Sequence, residues 1–388
     1  SDNLGVFLYI VLQFLVCAWV FGQVTAFAAR LGCSRGVQYA VTAFFALDPI
    51  WGAFIQTQVK DTLYTGLFVL FVLKTADLLL FPQKWQGNRP RLTAYAVLGV
   101  LCCLLRKNGI YAVVPMLLVS ACTVSEKRLR RPVLAVLLAV CIGSFGFDMF
   151  TEKVLDIPAG SVGEALSVPM QQTARYIRDY GNEVTDDERT AIEKALDYDA
   201  IAQSYMPELS DGVKQYYKNP GKGDLARYML VWAKMLLKHP VCYFEATHAN
   251  SHGYYTITKC RAINDYYTFN NDICMEMSEM NVHYLDKSGY LRYAFVQALS
   301  AFEKLPLVGL TTSIGFMAWL TAVLGLWLAR CKAKPVLPVF IGLGIFWLTC
   351  IASPVNDCMR YFLPVAGCLP LVFCLAAVFS REKSEITV

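Results

Sequence analysis

Three groups of basic residues interrupt the apolar runs of this chain. Lys60 stands beside Asp61 in the polar stretch Gln56-Thr57-Gln58-Val59-Lys60-Asp61-Thr62-Leu63-Tyr64, and Arg106, Lys107 and Asn108 form a tight turn before Gly109. Arg360 closes Ser353-Pro354-Val355-Asn356-Asp357-Cys358-Met359. Cations at helix ends beside a hydrocarbon layer suit a phosphate or pyrophosphate. Lys60 and Arg360 precede helix starts, where the partial positive charge of the helix disfavours a cation unless an anion is present. Each group also has a plainer reading. Asp61 caps its helix while Lys60 snorkels to lipid headgroups, and Arg106 sits at a helix C-terminus that Gly109 closes.

The elements that must position these residues are membrane helices. Of the 388 residues, 56% are hydrophobic and 17% charged, against about 25% charged in soluble domains. Nine apolar segments are predicted, at about 5–29, 37–57, 62–81, 92–105, 109–124, 132–150, 308–329, 336–353 and 361–380. Each is read as one crossing of a hydrocarbon layer about 30 Å thick. The fold expected is therefore all-α: a polytopic membrane protein with helices 1–6 in 1–150, a mainly helical extracytoplasmic domain in 151–307, and helices 7–9 with a short tail in 308–388. The chain opens Ser1-Asp2-Asn3 without a Met or a basic n-region, and Leu4 to Ala29 exceeds a signal h-region. A processed boundary with further residues upstream is expected.

Charge decides the orientation. The loops near 30–35, 84–91, 127–131, 330–334 and 381–383 are rich in Lys and Arg, and the alternate loops carry only Lys60, Arg106, Lys107 and Arg360. The positive-inside rule places the first set in the cytoplasm and the second set outside, together with the large hydrophilic block. The net charge of +5 is spread over these loops, so no nucleic-acid partner is expected. Lys74 and Asp77, three residues apart, are expected to satisfy each other. Most of the 14 cysteines fall in apolar runs, where they pack as small hydrophobes. Cys242, Cys260, Cys274 and Cys358 are expected on the oxidising side, with Cys260 and Cys274 as the pair that forms a disulfide.

Within the hydrophilic block, Thr185-Asp186-Asp187-Glu188 is a capping box that opens a helix to about Leu196. A second helix starts near Pro169, where Gln171, Gln172 and Arg175 could line a sugar or phosphate pocket or simply be exposed polar positions. Residues 224–238 suit an interfacial helix, with Tyr228 and Trp232 at the lipid surface. His248 and His252 share a helix face with Glu245 one turn before. That spacing can hold a metal but lacks the zincin order, so no metal site is assigned and a divalent metal is the one cofactor left open. No P-loop, nucleophile elbow or Rossmann fingerprint stands in a supporting context.

On these residues the chain resembles a bacterial family of multi-pass proteins akin to GT-C-type glycosyltransferases. The signatures are VKDTLY at 59–64, LLRKNGIY at 104–111, SVPMQQTAR at 167–175, HPVCYFEA at 239–246 and RYFLP at 360–364. The resemblance implies a bacterial plasma-membrane enzyme that transfers sugar from a polyprenyl-phosphate-linked donor to a cell-envelope glycan or lipid acceptor. Its partners are that donor, that acceptor and the surrounding membrane lipids. Lys60, Arg106, Asn108 and Arg360 would hold the lipid phosphate, with Gln171, Gln172 and Arg175 covering it. The usual GT-C base lies in an outer loop upstream of these residues, which leaves Asp61 as the catalytic carboxylate within them. A lipid-linked polysaccharide polymerase or ligase, and a flippase for the same lipid, are the alternatives.

Overall fold

The computed structural model describes residues 2–157, 160, 162–257 and 288–386. Helices account for the regular structure of these residues, and their only β-pairing is in isolated bridges such as Leu196 with Tyr217. The chain divides into two compact units: 1–147, 256–347 and 359–388 form the first, and 148–255 with 348–358 form the second.

The first unit contains α1 (Asp2–Arg30), α2 (Arg35–Leu47), α3 (Pro49–Ile55), α4 (Lys60–Leu80), α5 (Arg89–Leu105) and α6 (Gly109–Thr123). It also holds most of α7 (Lys127–Lys153), α14 (Tyr290–Phe302), α15 (Ile314–Arg330), most of α16 (Leu337–Ile351) and α17 (Met359–Ile386). Five helical stretches are long and apolar enough to cross a membrane: α1, α4, α7, α16 with the residues just before it, and α17. Burial sorts these helices. The apolar windows of α4 and α17 are 78% buried, against 22% for α1 and α7. The first two form the centre of the bundle, and α1 turns Leu4, Leu8, Leu12, Leu15 and Trp19 outward.

The predicted crossing at 37–57 is broken. Asp48 ends α2 and caps α3, its carboxylate accepting from the Ile50 N–H at 3.1 Å. Pro49 supplies no N–H to a continuing helix and pushes the residue before it to extended backbone, and Asp48 has φ −69° and ψ 124°. The segments at 92–105, 109–124 and 308–329 become α5, α6 and α15, of 17, 15 and 17 residues. At about 1.5 Å per residue these reach roughly 23–26 Å.

Asp77 has different partners from those expected. Its carboxylate pairs with Arg30 at 3.0 Å and accepts from the Trp85 indole at 3.0 Å, so the end of α4 is tied to the end of α1 and to the turn after α4. Nearby, Arg91 donates to the Lys84 carbonyl and lies over the Trp85 ring. This end of the unit therefore gathers residues of the basic loops.

The second unit contains α8 (Ser167–Tyr180), α9 (Asp186–Ala195), α10 (Tyr198–Gln203), α11 (Asp211–Lys214), α12 (Lys222–Lys238) and α13 (Pro240–Ser251). Its core packs Met170, Tyr176, Ile192, Ile201, Tyr228 and Tyr243. The capping box is present: Glu188 N–H donates to Thr185 and Thr185 N–H donates to the Glu188 carboxylate. Tyr228 and Trp232, expected at a lipid surface, face this core instead. The Tyr228 hydroxyl lies 2.9 Å from the Thr173 hydroxyl, and the Trp232 indole donates to Gln172 at 2.9 Å. Their polar tips find protein partners, so these two side chains are not interfacial anchors.

The segment 353–356 is clamped within the second unit. Asn250 donates to the Ser353 carbonyl, Ser210 N–H to the Pro354 carbonyl, and Gly253 N–H to the Asn356 side chain. A Cβ at Gly253 would stand 2.5 Å from the Asp357 Cβ, so the close approach requires glycine there. The predicted pair Cys260 and Cys274 lies outside the described residues. Cys242 and Cys358 are buried free thiols, and burial pushes the Cys242 thiol up to about 11.

Candidate functional site

Helix α4 begins at Lys60, with Val59 as an N-cap that makes no side-chain bond. Asp61 is therefore in the first turn and not the cap expected from sequence. Its charge is favourable at a helix N-terminus, but its side chain is turned inward and buried. Arg106 leaves the end of α5 in extended conformation, with φ −142° and ψ 113°, and its Nη1 stands 3.1 Å from Asp61 Oδ1. Arg360, the second residue of α17, brings Nε to 3.7 Å from Asp61 Oδ2. Two guanidiniums separated by more than half the chain thus meet on one carboxylate. The side chains of Asp61 and Arg106 are 8% and 12% exposed, and that of Arg360 is 34% exposed.

Aromatic rings flank the two guanidiniums. The Arg106 guanidinium carbon lies 4.9 Å from the Tyr361 ring centroid, 5.5 Å from Phe346 and 5.9 Å from Tyr64. Arg360 lies 5.0 Å from the Tyr361 ring and donates to its hydroxyl at 3.2 Å. Ring faces attract cations, and do so more where water is excluded. Gly109 opens α6 and does not close α5, since a Cβ there would stand 2.7 Å from the Cys102 carbonyl and 3.1 Å from the Tyr64 hydroxyl. Gln13 of α1 secures the link before α4, its amide donating to the carbonyls of Ile55 and Thr57 at 2.9 Å each.

Formally the cluster carries two positive charges and one negative. Arg106, at the C-terminal end of α5, suits the helix dipole, whereas Arg360 stands at a helix start, where Asp61 offsets the penalty. An anion with several acceptor oxygens could bridge the part-exposed Arg360 and its neighbours by charge-assisted hydrogen bonds.

Lys60 and Asn108, in the same unit, make none of these contacts. Lys60 is exposed, has no ion-pair partner among the described residues, and leaves the helix about 100° round from Asp61. Asn108 is exposed at the start of α6 and makes no capping bond. Gln171, Gln172 and Arg175 belong to the second unit and have partners within it. Gln171 donates to the Met206 carbonyl, and Gln172 donates to Thr247 at 2.9 Å. Arg175 pairs with Asp179 and Glu245. Burial alone would pull Arg175 down, but the neighbouring Tyr205 hydroxyl and Asp179 carboxylate hold it above the ordinary range.

The histidine pair is hydrogen-bonded to protein groups. His248 Nδ1 lies 2.8 Å from the Tyr255 hydroxyl, and His252 lies 3.7 Å from Glu208 and 3.2 Å from the Asn356 amide. Among the described residues there is no group of three or more His, Cys, Asp or Glu arranged to hold a metal. Sequence reasoning missed Tyr64, Phe346, Tyr361 and Gln13. Tyr64 and Tyr361 adjoin their charged neighbours in sequence, whereas Phe346 lies in an apolar run that carries no local signal.

Taken together, an all-helical bundle with several membrane-length apolar helices and a charged cluster at the helix ends defines a multi-pass membrane protein. The chain belongs to the family described as "Family of unknown function (DUF6020)", which matches residues 1–387. No curated protein and no solved structure matches it.

Proposed function

We propose that the protein is a membrane glycosyltransferase of GT-C type. It takes a sugar from a polyprenyl-phosphate-linked donor and delivers it to a cell-envelope acceptor on the outer face of a bacterial plasma membrane, with residues 151–307 outside. The observation that supports this reading most is the meeting of Arg106 and Arg360 on Asp61. In the transfer, an acceptor hydroxyl oxygen bonds to the anomeric carbon as the bond from that carbon to the donor phosphate oxygen breaks, and the hydroxyl proton passes to water. The electron pair of the broken bond stays on the phosphate, and two guanidiniums beside it stabilise the charge that develops there. The flanking aromatic rings keep water from the guanidiniums and strengthen that attraction.

Asp61 acts in this reading as a positioning residue. Both of its oxygens face arginines, so it holds the guanidiniums and does not receive the acceptor proton. Binding of polyprenyl phosphate to the purified protein tests the proposal. Arg106→Gln and Arg360→Gln should each weaken binding by roughly ten- to over a hundredfold, the equivalent of losing one charge-assisted contact of about 1.5–3 kcal/mol. Wild-type affinity in both folded variants would overturn it.

A further inference from the structure

Helix α12 has two faces of opposite character. Tyr228, Val231 and Met235 are buried in the core of the second unit. On the other side Leu230 is 66% and Leu237 83% exposed, and in the next helix, α13, Val241 and Phe244 are 66% and 74% exposed. Residues 230 and 237 are two turns apart and share a face. Lys222, Arg227 and Lys234 are exposed on the same side of α12 and have no ion-pair partner among the described residues. Elsewhere in this unit Arg175, Arg189, Lys194, Lys214 and Lys218 are all paired with carboxylates.

We propose that this face, Leu230, Leu237, Val241 and Phe244 with Lys222, Arg227 and Lys234, rests in the headgroup layer of an anionic bilayer. Large apolar side chains inserted among headgroups, with cations beside them reaching phosphates, are the pattern of a helix lying in a membrane surface. Negative lipids attract each juxtamembrane cation and leave the carboxylate-paired ones unaffected. Large exposed apolar side chains bordered by charged residues mark interaction or membrane surfaces. The chain also enters this unit directly from α7, one of the membrane-length helices, so the unit is tethered to the membrane-length helices. The binding surface is distinct from the arginine cluster and does not rest on the transferase reading.

The test uses the full chain in vesicles of phosphatidylcholine, with and without phosphatidylglycerol. A spin label is attached through Leu237→Cys and, as the control, through Asp187→Cys, an exposed position on α9; the labelled wild type supplies the background from native cysteines. Leu237 faces outward, so its replacement leaves the core of the unit intact. The label at 237 should collide more with oxygen than with a water-soluble nickel chelate, and the label at 187 should show the reverse. Changing Lys222, Arg227 and Lys234 together to Gln should lower the burial at 237 in the anionic vesicles and abolish the difference between the two lipid compositions. Nickel access at 237 equal to that at 187 would overturn the proposal. So would a label at 237 that is immobilised alike in detergent and in vesicles, because a protein surface would then cover the face.

Discussion

Asp61 pairs with two arginines that come from the end of α5 and the start of α17, and its removal separates two roles for a carboxylate. If it positions the guanidiniums, Asp61→Asn weakens polyprenyl-phosphate binding as the arginine changes do. The same substitution leaves the buried Arg106 and the part-exposed Arg360 without their counter-charge, and breaking the buried pair with Arg106 costs about 3–5 kcal/mol. The measurements are the binding isotherm and the thermal unfolding of the purified variant. Unchanged binding with an unchanged melting temperature would show that Asp61 neither holds the arginines nor supports the fold. The neighbouring Lys60 makes the contrast, since it is exposed at the first helical position and its change to Gln should alter stability little.

At the scale of elements, α9 and α12 are joined by Glu188. Its carboxylate accepts from Thr185 N–H at 3.1 Å and from Lys238 Nζ at 2.8 and 3.0 Å. Burial alone would raise Glu188, but the hydrogen bonds from Lys238 and Thr185 outweigh it and hold the group below the usual carboxylate range. Asp179 and Glu193 are lowered in the same direction, by Arg178 and Arg175 and by Lys218 respectively, against the opposing effect of burial. A group whose pKa is depressed by folding adds stability above its unfolded value and loses it as pH falls through the folded value. The second unit is therefore expected to lose protection from hydrogen exchange in α9 and α12 as pH drops below about 4.5. Lys238→Met should lower that protection at neutral pH by up to about 1 kcal/mol, the pair being partly solvent-screened. Its effect should vanish once Glu188 is protonated, and an effect that persisted in acid would locate the role of Lys238 in packing.

For the whole molecule, the arginine cluster lies at the end of the first unit where α4 and α17 start, and Arg30, Asp77, Trp85 and Arg91 gather where α4 ends. The positive-inside rule assigns the second of these ends to the cytoplasm. Cysteines introduced at the exposed positions Ser125 and Asp187 test this with a membrane-impermeant thiol reagent on intact cells. The position at 187 should label and the position at 125 should not. The opposite result would invert the orientation and place the arginine cluster on the cytoplasmic side. Cys242 should stay unmodified in the folded protein, since it is buried and its thiol is pushed up to about 11.

The helical class, the apolar runs that became α1, α4, α7 and α17, and the capping box at Thr185 were legible in the sequence. Each rests on a local pattern: an unbroken stretch of apolar residues, or a hydroxyl three residues before a carboxylate. The basic residues at helix ends could likewise be read off, but not which of them meet. Arg106 and Arg360 converge because α5 and α17 both pack against α4, and that contact depends on tertiary packing over more than 250 residues of chain. The partners of Asp77 were decided the same way. Lys74 was near in sequence, but Arg30 and Trp85 reach the carboxylate because α1 and the turn after α4 are packed beside it. The two faces of α12 make the same point. Its composition mixes apolar and basic residues, and only the core beneath it determined that Tyr228 and Trp232 turn inward and Leu230 and Leu237 outward. A side chain's type sets which partners are favourable, and the packing of distant helices sets which of those partners are within reach.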